Sequence, residues 1–196
     1  MKPQSTSPMY DEFSRKKALL IVVTGCPGSG KTTLAHALAR MVRCPAICRD
    51  EIKEGLLNTT GEKSAPGDAV AWQVYNLFFE TLELLLRNNV TLVAEAAFQH
   101  KRWAPKLEPL RAIARIKIVH CLIDPELARV RRMQRSVAEP ARARFHHEDC
   151  SAPASAERDK LPPPYDPPRL DVPTLTVDTS DGYRPVIDEI VAFACR

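Results

Sequence analysis

Eight consecutive residues, Gly25-Cys26-Pro27-Gly28-Ser29-Gly30-Lys31-Thr32, have the types and spacing to bind phosphate. They fit G-x-x-x-x-G-K-[ST] at every fixed position, and Thr33 extends the run. Glycines let a backbone curl until successive N–H groups face inward. A helix starting directly afterwards adds its own unpaired donors, so such a loop holds the α- and β-phosphates of a nucleotide. Lys31 is then placed for the β- and γ-oxygens, and the Thr32 hydroxyl for the Mg²⁺ that accompanies ATP. Average residue usage gives a chance match on the order of once per hundred chains of this length. The flanking pattern argues further against chance, with an apolar run before the loop and a helical period after it.

A strand must therefore end at the loop and a helix must begin there. Ala18–Thr24 is a β-branched apolar run that reads as a buried strand, and Lys31–Val42 places Leu34, Ala35, Leu38 and Met41 on one helical face. Ala46–Cys48 reads as a second strand, followed by Asp50 and Glu51 at a helix start. Asp68–Asn88 has helical spacing through Val70, Val74, Leu77, Phe78, Leu82 and Leu85. Val90–Ala94 is the next strand, ending at Glu95, and Arg102–Ala114 is a helix broken by Pro105 and Pro109. Ile116–Ile123 is a strand, and Asp124-Pro125-Glu126 starts a helix that runs to about Arg135. Residues 136–173 read as irregular, with seven of the 17 prolines between Pro153 and Pro173. Thr174–Val177 and Pro185–Ala194 supply the last strand and helix.

Strands alternating with helices five times predict an α/β fold, a parallel sheet covered by helices on both faces. Ligands of such sheets bind at the carboxyl ends of the strands. Thr24, Asp50, Glu95, Asp124 and Asp178 all fall at expected strand ends, although helix capping alone would account for Asp50 and Asp124.

The run GCPGSGKTT, the stretch Arg49-Asp50-Glu51-Ile52-Lys53, the acid closing the third strand and the arginine-rich helix together resemble the small P-loop kinases. That group includes polynucleotide-kinase-like, chloramphenicol-phosphotransferase-like, gluconate-kinase and zeta-toxin-like enzymes, and the resemblance spans roughly residues 18–195. It implies a P-loop NTPase three-layer sandwich with a five-stranded parallel sheet in the order 2-3-1-4-5, and a lid at about 136–150. It implies that Asp50 aligns an acceptor hydroxyl and takes its proton, with Lys53 one helix turn away to hold an anionic acceptor. Glu95 would hold Mg²⁺ or a water bound to it, or act on the acceptor; an Asp is commoner at this place in the group. Arg131 and Arg135, four residues apart, would clamp ATP phosphates, and Asp181-Gly182 would lie against the adenine. Phe98 and Arg102 join Asp50 and Lys53 as expected acceptor-binding residues, with Phe98, Trp72, Tyr75 and Trp103 either roofing a compact pocket or filling the core.

Composition narrows the classes. Hydrophobic residues make up 44% and charged residues 27%, as in soluble globular domains. No apolar run approaches the roughly 20 residues of a spanning helix, and residues 1–17 are a polar lead-in without a signal-peptide core, so the expectation is a cytoplasmic protein with one domain over 18–196. From Lys101 to Arg144 there are twelve Lys or Arg against four Asp or Glu; after Phe145 there are five against ten. A local anion site fits this distribution better than a basic surface. The six scattered cysteines read as reduced thiols; Cys44 and Cys48 have the spacing of half a zinc site, but no second half follows. His146-His147-Glu148-Asp149 reads as a solvated or substrate-facing loop.

The reading is an ATP- and Mg²⁺-dependent phosphotransferase acting on the hydroxyl of a small acceptor. A net charge of +4 and 6% aromatic residues disfavour a polynucleotide, which is usually gripped by a basic groove and stacking rings. A 5′-hydroxyl polynucleotide or nucleoside kinase is the first alternative, and a non-catalytic nucleotide switch or slow ATPase the second.

Overall fold

A computed structural model describes residues 17–61, 69–139 and 165–196. The strands are β1 (Ala18–Gly25), β2 (Ala46–Cys48), β3 (Leu92–Glu95), β4 (Ala114–Leu122) and β5 (Thr174–Asp178). The helices are α1 (Lys31–Val42), α2 (Arg49–Thr60), α3 (Ala69–Arg87), α4 (His100–Leu107), α5 (Pro125–Ala138) and α6 (Ile187–Cys195), with a 3₁₀ turn at Glu108–Ala112 after α4. All pairs are parallel and the order is β2-β3-β1-β4-β5, as the resemblance implies.

Strand periodicity builds the three layers. In β1, Leu20 and Val22 face one cluster with Phe78, Phe98 and Trp103 of the α3–α4 layer. Leu19, Ile21 and Val23 face the other, with Leu34 and Leu38 of α1 and Ile190 of α6. All eight residues of β1 are buried, because helices cover both faces of a central parallel strand. The phosphate loop therefore leaves the sheet from a fully buried central strand.

Several boundaries move for local reasons. β3 begins at Leu92 rather than Val90, because Asn89 takes a left-handed φ of 58° and the Val90 N–H still donates to Leu85 O. Pro105 lies inside α4 without ending it, whereas the run breaks as expected at Pro109, where α4 gives way after Leu107 to the 3₁₀ segment. β4 starts at Ala114 and pairs with β1 from Ala18 to Gly25. α5 continues through Ala138, three residues into the stretch read as irregular. Most of the expected lid, with Arg142, Arg144 and the His146–Asp149 run, lies outside the described residues. No helix among the described residues is long and apolar enough to cross a membrane.

Candidate active site

The loop between β1 and α1 is shaped by close approach. A Cβ at Gly25 would come within 2.5 Å of Ser29 Oγ and 2.8 Å of Cys121 O, while Gly28 has φ 86° and lies against the Ala128 carbonyl. Gly30 caps α1 in the left-handed region, no side chain caps the helix, and no acid lies in its first turn. The α1 N–H groups are thus left to an anion.

Lys31 and Thr32 converge on Glu95. The Lys31 Nζ lies 3.5 Å from Glu95 Oε1, and Thr32 Oγ1 donates to Glu95 Oε2 at 3.0 Å. Glu95 is only 1% exposed. It pairs in register with Val23 of β1 and Cys48 of β2, at the carboxyl end of the sheet. Burial pushes its carboxyl above the usual range; Lys31 opposes the shift, the Asp50 charge adds to it, and the Thr32 bond opposes it. Glu95 Oε1 is buried without a hydrogen-bond partner, since the 3.5 Å approach of Lys31 is an ion pair rather than a hydrogen bond. A buried carboxylate oxygen with spare capacity, beside a threonine hydroxyl and a second carboxylate, is a hard-oxygen donor set that fits Mg²⁺.

Asp50 stands in the first turn of α2 and accepts from Arg49 NH1 at 3.1 Å. The N-cap of that helix is Cys48, with no side-chain capping bond, so the reading of Asp50 as only a cap does not hold. Lys53 follows on the same helix, half-buried. Asp124 does cap α5, accepting from the N–H groups of Glu126 and Leu127.

On the opposite flank, Thr179 Oγ1 donates to Ser29 O at 2.8 Å, and the Thr179 N–H donates to Leu122 O at 2.9 Å. The Arg131 guanidinium forks onto the carbonyls of Thr179 and Ser180 at 2.9 and 2.8 Å. Arg131, expected from the resemblance to clamp ATP phosphates, here has its guanidinium on backbone carbonyls. Both terminal nitrogens of Arg131 hold the loop that leads to Asp181 and Gly182, within 4.0 Å of the Cβ position of Gly30. Arg135, one turn on, is half-buried. Asp181 and Gly182 are exposed at the loop's tip, where Gly182 has φ 73°.

The expected acceptor residues Phe98 and Arg102 fall in different surroundings. Phe98 is wholly buried, its ring 4.7 Å from Trp103 and 5.9 Å from Phe78, so it is a core residue rather than a pocket wall. Arg102 is exposed with its guanidinium 5.1 Å over the Trp72 ring of α3. Tyr75 and Trp103 are buried with Phe98, while Trp72 is half exposed.

Sequence reasoning missed Tyr165. Its hydroxyl bonds to Thr24 Oγ1, which also accepts from the Phe98 N–H at 3.2 Å, and its ring lies 5.7 Å from His120, the register partner of Thr24. The segment is anchored further by His100 N–H donating to Asp166 O, Asp166 N–H to Gln99 Oε1, and Arg169 N–H to His100 Nδ1. Burial pushes the Tyr165 phenol up and holds the His120 imidazole below its ordinary value, so the pair presents neutral polar groups at the ends of β1 and β4. The one available signal was a histidine near the carboxyl end of β4, after the apolar pair Ile118 and Val119.

No curated protein sequence matches this chain. Among solved structures, a candidate kinase from Chloroflexus aurantiacus is similar at 28% identity and a TM-score of 0.75, over 91% of this chain and 97% of that one. A gluconokinase from Sinorhizobium meliloti is similar at 18% identity and TM-score 0.55, over 93% and 94%. The Mycobacterium tuberculosis APS kinase CysC, in complex with AMPPNP and APS, is similar at 18% identity and TM-score 0.52, over 90% and 95%. The profile of the family described as AAA domain (AAA_33) matches residues 20–152, and the chain, with its P-loop kinase-like fold, belongs to that family.

Proposed function

We propose that the chain is a kinase that moves the γ-phosphoryl group of ATP to a hydroxyl of a small acceptor. The observation that carries this reading is the convergence of Lys31 and Thr32 on buried Glu95, with the Asp50 charge beside it. The loop N–H groups and the α1 N-terminus hold the phosphate chain, and Lys31 neutralises the β- and γ-oxygens. Mg²⁺, held by Thr32 and Glu95, supplies charge neutralisation at the transferring phosphoryl group when bound. Asp50 orients the acceptor hydroxyl and takes its proton as the O–P bond forms. Lys53 meets an acceptor anion, Arg135 meets phosphoryl charge, and Asp181-Gly182, steadied by Arg131, lines the adenine. Tyr165, Thr24 and His120 offer neutral donors and acceptors to the substrate between them. The Chloroflexus, gluconokinase and APS kinase likenesses support the phosphotransferase class, and a cytoplasmic site of action is part of the proposal.

The test is ADP release across sugars, nucleosides, other alcohols and 5′-hydroxyl oligonucleotides, at several salt concentrations. Stimulation by one small hydroxyl class supports the reading. The Arg49–Asp50 contact with Lys53 beyond it favours the polynucleotide alternative, which efficient oligonucleotide labelling that fades steeply with salt would establish instead. Slow ADP release that no acceptor stimulates would indicate a switch or simple ATPase.

A further inference from the structure

We infer that His36, Cys48 and Glu51 form a second cation site, selective for a thiophilic divalent ion such as Zn²⁺ and separate from the Thr32–Glu95 corner. The three residues come from α1, the end of β2 and the first turn of α2, and the fold brings their ligand atoms within 4.8 Å of one another. His36 Nε2 lies 2.6 Å from Glu51 Oε1 and 3.7 Å from Cys48 Sγ. Tetrahedral zinc with N and S bonds of about 2.0 and 2.3 Å sets its ligand atoms ~3.5 Å apart, so the nitrogen–sulfur pair is already at the required separation. The His36–Glu51 pair must open by less than ~1 Å to admit an ion, and both side chains are about half exposed and can turn.

The donor set decides which ion. Imidazole, thiolate and carboxylate suit Zn²⁺ and Co²⁺, whereas Mg²⁺ prefers the oxygens around Thr32 and Glu95. The two sites adjoin, because the Cys48 thiol lies against the Glu95 carboxylate as well as facing Glu51. His36 lies one helix turn beyond Thr32 on α1 and meets the Cys48 sulfur at 3.7 Å, while burial and the Glu95 and Glu51 carboxylates hold that thiol protonated until a metal ion displaces the proton. Cys48 is the buried anchor, and the fourth position opens to solvent beside a groove of about 740 Å³ lined in part by His36 and Cys44. Binding displaces the Cys48 thiol proton to water and exchanges the His36–Glu51 bond for two metal bonds. Once bound, the ion ties α1, which carries Lys31 and Thr32, to the turn that carries Asp50.

Co²⁺ titrated into the reduced full chain, with excess Mg²⁺ present, tests this directly. One equivalent is expected to give tetrahedral visible bands and a thiolate charge-transfer band that Zn²⁺ abolishes and Mg²⁺ does not. C48S removes the charge-transfer band, while C44S keeps it. H36A and E51Q, at half-exposed positions, weaken binding at least ~10-fold with melting curves unchanged in the absence of metal. Persistence of the band in C48S, indifference to both H36A and E51Q, or displacement by Mg²⁺ would overturn the assignment.

Discussion

The two flanks of the phosphate loop are built on opposite principles. On the Thr179 side, Arg131 spends two donors on two carbonyls and Thr179 bridges Ser29 to Leu122. On the Glu95 side, a carboxylate is buried at 1% exposure with one oxygen lacking a hydrogen bond, facing a lysine at 3.5 Å and sharing the field of Asp50. Satisfied networks rigidify, whereas a partly satisfied buried charge costs stability unless a ligand completes it. The first flank is a finished frame, proposed to hold the base, and the second an unfinished socket for charge. Mutations should accordingly hurt binding on one side and turnover on the other.

The largest effect is expected from Lys31→Ala, whose side chain serves the phosphates and the socket rather than the core. Turnover should fall by orders of magnitude with the fold retained, and the melting temperature should fall because buried Glu95 loses its ion-pair partner, read by ADP release and thermal denaturation. Glu95→Gln keeps the shape but removes the charge, and activity should drop roughly 10–100-fold with a raised Mg²⁺ requirement. A Mg²⁺ titration of both proteins measures this, and an unchanged requirement would take Glu95 out of the metal set. Arg131→Ala attacks the frame instead. The KM for ATP should rise about tenfold as the Thr179–Ser180 loop loosens, with kcat within about threefold of wild type. A fall in kcat at constant KM would return Arg131 to the role of a transition-state clamp.

How much the sequence could tell follows the same division. The strand–loop–helix unit was legible because its signals are local: α1 has the expected bounds, and β1 extends one residue past its expected end. Glu95 was legible because an acid closing a buried strand stands out. The frame was not, because Arg131 meets carbonyls 48 and 49 residues away and Tyr165 meets Thr24 across 141. Phe98 was misread because an aromatic just past a strand end fits a pocket or a core equally well in sequence. Only the packing of Phe78 and Trp103 around it decides.

The smallest expected effect is a pH dependence near Tyr165. Burial lowers the proton affinity of His120 in the folded chain, so between its depressed value and about 6.5 the unfolded chain binds the additional proton. Stability contributed by neutral His120 is present above that window and declines as pH falls through it. His120→Gln should flatten the acid limb of a melting-temperature profile, and an identical limb would place the titration elsewhere.

Asp50→Asn tests the central claim most directly, because it leaves the frame intact and removes the charge of the group proposed to take the acceptor's proton. With γ-labelled ATP and the acceptor found by the ADP-release screen, label transfer is expected to fall at least ~100-fold while ATP affinity stays constant. Transfer that survives the substitution, or a loss of ATP binding in its place, would contradict the assignment of Asp50 and with it the proposed phosphotransfer site.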